Sequence, residues 1–106
     1  MKLVIDTSIL IDHLRGGGAW NSLLDEIEEE EDISFFIPTI VLFELFSGKS
    51  TRDSFAAHKI TKFLKNFQQI ELDEKIAKRA GEIYRDISKN LQVPDYIVAA
   101  SALEID

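Results

Sequence analysis

At 106 residues the chain has the size of one domain with one core, and an apolar fraction of 45% with 29% charged residues excludes disordered, collagen-like and low-complexity classes. Nineteen acids against twelve bases give a net charge of -7, so any contact with nucleic acid or an anionic membrane has to be local. No cysteine is present, which excludes disulfide frameworks, zinc fingers, iron–sulfur ligation and thiol catalysis; no apolar run approaches a membrane span, and the expected location is the cytoplasm. Residues 1–106 are read as a single domain.

The elements follow in chain order. Leu3-Val4-Ile5 is a short β-branched strand ending at Asp6, after which Thr7 and Ser8 cap a helix running to about Arg15. Gly16-Gly17-Gly18 stops that helix; it follows a helix and lacks a downstream Gly-Lys-Ser/Thr, so it is not a phosphate-binding loop. Trp20, Leu23, Leu24 and Ile27 recur at helical spacing before seven acids between Asp25 and Asp32, which read as a solvated face and turn. Ile33 to Ile37 reads as a fully buried strand, and Pro38-Thr39 opens a helix to about Ser47 that ends at Gly48. Ser54 to Asn66 is amphipathic, with Phe55, Ile60, Phe63 and Leu64 on one side, and Phe67 to Leu72 alternates as a third strand. Asp73-Glu74 starts a long helix carrying Ile76, Ala80, Ile83, Tyr84 and Ile87, and Pro94-Asp95 begins a last one through Leu103. Strands alternating with helices imply an α/β fold, an open parallel sheet with right-handed crossovers and helices on both faces.

Three carboxylates stand out. In open parallel sheets the ligand crevice lies beyond the carboxyl ends of the strands, where Asp6 ends the first one. Glu44 follows Ile40-Val41-Leu42-Phe43 and precedes Leu45-Phe46, a helix apolar nearly all round and expected to be buried, with no base within one turn. Asp95 likewise heads Tyr96-Ile97-Val98-Ala99-Ala100-Ser101-Ala102-Leu103. Each also has an ordinary reading as a cap, a dipole-stabilising charge or an edge residue. Together they match the needs of hard divalent cations, Mg²⁺ or Mn²⁺, which take carboxylate oxygens and support hydrolysis at phosphorus. Rival chemistries fit less well. The first strand is followed by Asp6-Thr7-Ser8 and not by the Asp-x-Asp of dehalogenase-type phosphatases, no nucleophile elbow accompanies the histidines, and His13 and His58 read as exposed helix residues.

The same residues resemble a known family. Val4-Ile5-Asp6-Thr7-Ser8-Ile9-Leu10-Ile11-Asp12-His13-Leu14-Arg15, then Ile37-Pro38-Thr39 through Glu44-Leu45-Phe46-Ser47-Gly48, then Pro94-Asp95 through Leu103 are similar to the three successive signatures of PIN domains, and most of all to VapC toxins of toxin–antitoxin pairs. The resemblance implies a PIN-like α/β/α sandwich and a metal-dependent endoribonuclease, with Asp6, Glu44 and Asp95 as metal-binding and catalytic acids. It places the family's hydroxyl at Thr7 or Ser8, with Ser8 preferred, as a contact to phosphate or a metal-bound water. It further implies an RNA substrate, a VapB-like antitoxin that occludes the acids, and a homodimer. Asp12 is read as an ordinary surface acid. The family pattern goes on to a fourth strand with a fourth acid and a fifth strand, which this sequence does not carry; Glu104 and Asp106 are the acids nearest its end, and the first strand is expected at the edge of the sheet. A second reading is accordingly an inactive module that binds antitoxin or metal without cutting, and a third makes the acids structural.

A nucleic-acid substrate needs positive charge, which the stretch from Lys49 to Lys65 supplies: Lys49, Arg52, Lys59, Lys62 and Lys65 against Asp53 alone. Lys59 and Lys62 share a helix face and are expected to track a phosphate backbone.

Overall fold

The computed structural model describes residues 1–87 and 90–105; Asp106 lies outside the described residues. Strand β1 (Lys2–Val4) leads into helix α1 (Thr7–Leu14) and helix α2 (Ala19–Glu26). Strand β2 (Ser34–Pro38) leads into α3 (Thr39–Phe46), a 3₁₀ turn (Lys49–Arg52) and α4 (Ser54–Leu64). Strand β3 (Gln68–Ile70) leads into α5 (Glu74–Asp86) and α6 (Val93–Glu104). The three strands form one parallel sheet in the order β1-β2-β3, with Leu3 opposite Phe35 and Phe36 opposite Gln68. As expected, β1 is an edge strand among the described residues.

Local chemistry accounts for the helix starts. Asp6, Asp53 and Asp73 each stand in extended backbone before α1, α4 and α5 and accept a hydrogen bond from the amide two or three residues on. Gly16 adopts φ +85°, the left-handed conformation that ends α1. One core gathers Ile5, Leu10, Trp20, Ile37, Val41, Leu45, Ile60, Leu64 and Phe67, joining α1 to α4 with the sheet. A second holds α5 against α6 through Ile76, Ala80, Tyr96, Ile97 and Ala100, with the partly buried Ile40 of α3 packed against both. Lys75 and Glu104 clip the same two helices at 3.1 Å. No described helix is long and apolar enough to cross a membrane.

Several sequence expectations are corrected. Within β2 only Ile37 and Pro38 are buried, because the strand enters the sheet from the solvated acidic turn and its first residues are half-covered. Helix α3 is not enclosed: Val41 and Leu45, one turn apart, face the core, whereas Phe43 is 67% exposed on the other side. Phe55, Tyr84 and Ile87 are also exposed instead of joining their helices' apolar faces. His13 is not a surface histidine. It is half-buried, its ring stacks on Phe63 with centroids 4.5 Å apart, and its Nδ1 is buried with no hydrogen-bond partner among the described residues. Asp12 is structural: its Oδ2 accepts from the Ala19 amide at 2.9 Å and so ties the start of α2 back to α1.

Candidate active site

The carboxyl end of β1 turns directly into α1, and Asp6 occupies that turn. Its Oδ1 accepts both the Ser8 amide and, at 2.7 Å, the Ser8 hydroxyl, which makes Asp6 the cap of α1 and fixes its side chain. The next residue turns the other way. Thr7 is buried, and its hydroxyl donates to Glu44 Oε1 at 2.7 Å. That bond joins the end of β1 to the middle of α3 across 37 positions of sequence. Glu44 is half-buried, at the boundary between the packed and open sides of its helix, and the Thr7 hydroxyl supplies the donor that a partly desolvated carboxylate needs. The Thr7 hydroxyl is therefore committed to Glu44 and not turned toward solvent, while Ser8 serves Asp6.

Asp95 sits in the first turn of α6, where its Oδ2 accepts the Gln92 amide at 3.0 Å. Helix α6 packs against both β1 and α3, the elements bearing Asp6's turn and Glu44. The donors are of the right kind for a hard divalent cation, all carboxylate oxygens. Among the described residues, however, no three His, Cys, Asp or Glu side chains are gathered closely enough to hold an ion, so the three acids do not form a preassembled cluster. Each is turned toward a cap or a hydroxyl instead. Asp6 and Glu44 still keep one oxygen apiece, Oδ2 and Oε2, that accepts no hydrogen bond among the described residues.

Glu44 also opens onto a groove of about 390 Å³ lined by Ile11, Leu14 and Arg15 of the α1 end, Leu45 and Gly48 beside it, and Ser50, Phe55, Ala56, Lys59 and Ile60. Of the expected basic residues, Lys59 lies in this groove; Lys49, Arg52 and Lys62 are exposed nearby in sequence but do not line it. Arg15 was not legible as a neighbour of Glu44, since nothing in its spacing brings the end of α1 alongside α3. Only its position one turn after Ile11, on the same face, hinted at a shared surface. A separate apolar hollow of about 310 Å³ between α5 and α6, floored by Ala80, Tyr96 and Ile97, holds none of the three acids. The displaced carboxyl of Asp86, held below the usual range by its hydrogen bond to Arg85, is likewise on α5 and apart from these residues.

Comparison with known proteins bears on the fold and the family. Residues 3–106 match the PIN domain family. Ribonuclease VapC19 of Mycobacterium tuberculosis is 36% identical over 110 residues, taking in 100% of this chain and 83% of that protein. Ribonuclease VapC3 of Methanocaldococcus jannaschii is 26% identical over 94% of this chain and 97% of its own. Among solved structures, VapBC2 from Rickettsia felis bound to a DNA fragment from their promoter matches with a TM-score of 0.79 at 20% identity, over 96% of this chain and 80% of that one, a likeness of fold. A toxin–antitoxin complex from Klebsiella pneumoniae matches with a TM-score of 0.73 at 26% identity, over 94% and 77%. With nearly its whole length inside the family pattern and a relative more than one-third identical across the whole of this chain, the chain belongs to the PIN-domain family, alongside the VapC ribonucleases.

Proposed function

We propose that this protein is a divalent-metal-dependent endoribonuclease, the toxin of a toxin–antitoxin pair, that uses Asp6, Glu44 and Asp95 at its centre and takes Mg²⁺ or Mn²⁺. The observation that carries the reading is the bond from Thr7 to Glu44. It fixes a half-buried carboxylate against the residue that follows Asp6, at the strand end where parallel sheets place their ligands. The open oxygens Oδ2 of Asp6 and Oε2 of Glu44 are the ones available to a cation, and Asp95 is the third acid of the set. A bound divalent ion supplies an activated water and neutralises charge at the phosphorus. The chain's own contribution is to hold the acids: Ser8 orients Asp6, Thr7 orients Glu44, and the Gln92 amide orients Asp95.

RNA as substrate is supported by the relatives' designation as ribonucleases and by the basic segment from Lys49 to Lys65 in an otherwise acidic protein. An antitoxin partner is supported by the two matched VapBC and toxin–antitoxin assemblies. Self-association belongs to the same reading, with the place of β1 at the end of the three-stranded sheet among the described residues as a physical reason for it, and so does a cytoplasmic location. The test is incubation of the purified chain with end-labelled single-stranded RNA and Mn²⁺ or Mg²⁺. Cleavage that EDTA and Asp6→Asn both abolish supports the reading; intact RNA under all conditions with a folded protein overturns it.

A further inference from the structure

The groove beside Glu44 combines features that a surface cleft has no packing reason to combine. It is lined by the aliphatic side chains of Ile11, Leu14, Leu45 and Ile60 and by Phe55, which is 76% exposed. Leaving that ring in water forgoes about 1.5–3 kcal/mol of burial. Two cations, Arg15 just after α1 and Lys59 from α4, line the same groove in a protein of net charge -7. Phe55 and Lys59 are four residues apart on α4 and therefore share a face, as Ile11 and Arg15 do at the end of α1. The groove volume lies within the range of small-ligand clefts, about 300–1,000 Å³.

We infer that this groove is a nucleotide subsite: it holds one nucleotide of a single-stranded RNA, its base stacked on Phe55 and its phosphate between Arg15 and Lys59, so that the adjoining phosphodiester reaches Glu44. An exposed ring flanked by cations is the arrangement by which proteins hold single strands, because every base has a face to stack and every linkage has a charge to neutralise. A base paired within a duplex must give up its pairing and stacking, at a cost of a few kcal/mol, to lie on the ring, so the subsite favours unpaired RNA. Phenylalanine offers no hydrogen-bonding group, so it stacks any base and confers little base preference. This inference rests on the ribonuclease reading and names where that substrate lies.

The experiment separates the two. In the Asp6→Asn background, which is expected to bind without cutting, fluorescence anisotropy measures affinity for a short labelled single-stranded RNA and for the same RNA with one abasic position moved along the strand. Phe55→Ala is expected to weaken binding of the intact strand about tenfold, since stacking is worth about 1–3 kcal/mol per base and tenfold is about 1.4. It should have no further effect on the one abasic strand that leaves the subsite empty. Arg15→Met and Lys59→Met should each weaken binding and lower its salt dependence by about one phosphate contact, whereas Lys78→Met, an equal loss of charge on α5, should not. Phe55 is exposed, so circular dichroism of the variant should match the parent. Equal weakening of every abasic strand by Phe55→Ala, or unchanged RNA binding, overturns the subsite and leaves the groove to a protein partner. Failure of the unsubstituted chain to cleave RNA is a different result and strikes the ribonuclease reading alone.

Discussion

The hydroxyl of Thr7 donates to Glu44 Oε1 at 2.7 Å, so a buried side chain at the start of one helix positions a carboxylate in the middle of another. Thr7→Val keeps the shape and removes the donor. Losing a hydrogen bond to a charged group costs about 1.5–3 kcal/mol, less where water reaches the group as it does at half-buried Glu44. The expected outcome is a fall of about tenfold in RNA cleavage rate, equivalent to about 1.4 kcal/mol, with a small loss of melting temperature. Thr7→Ser should restore both, and a rescue that fails would show that Thr7 acts through packing alone.

Ion binding should appear as stability. A ligand at about one hundred times its dissociation constant adds about 2.7 kcal/mol to unfolding free energy. Thermal melts with and without Mn²⁺ should therefore diverge for the unsubstituted chain. Asn caps helices as well as Asp does, so Asp6→Asn should melt like the parent without metal and gain little from Mn²⁺. A gain equal to the parent's would remove Asp6 from the ion site.

Asp12 and Gly17 form a unit that activity assays would not reveal. Asp12 Oδ2 accepts the Ala19 amide at 2.9 Å, and a Cβ on Gly17 would fall on that same carboxylate. Asp12→Ala should cost about 1 kcal/mol, the worth of a helix-cap side chain. Gly17→Ala should cost a similar amount by displacing Asp12. Urea titrations of the double variant are expected to show much less than the sum, because both changes break one bond.

His13 carries a buried Nδ1 with no partner among the described residues while its ring stacks on Phe63. An unsatisfied buried polar atom costs about 1–3 kcal/mol, and a phenyl ring keeps the stack. His13→Phe should leave stability unchanged or raise it by about 1 kcal/mol, read from the urea midpoint; a clear loss would show that the nitrogen has a partner in solution.

Sequence alone determined the order and kind of the strands and α-helices in this protein, though not the 3₁₀ turn at Lys49–Arg52. Leu3-Val4-Ile5 before Asp6, Pro38-Thr39 at the head of α3 and Pro94-Asp95 at the head of α6 carry periodicity, caps and breakers that act within a few residues, so they are readable without the fold. The three acids were also conspicuous, because charge inside an apolar run is a local anomaly. Tertiary structure alone decided what those residues touch. Helix α3 is apolar nearly all round, so its sequence could not say that Val41 and Leu45 face the core while Phe43 faces water. Spacing could not show that Thr7 reaches Glu44, that Arg15 and Lys59 share its groove, or that His13 lies on Phe63, since each pairing joins segments far apart in the chain. A carboxylate's neighbours are set by how helices dock on the sheet, and docking is the sum of many weak apolar contacts that no single stretch of sequence contains.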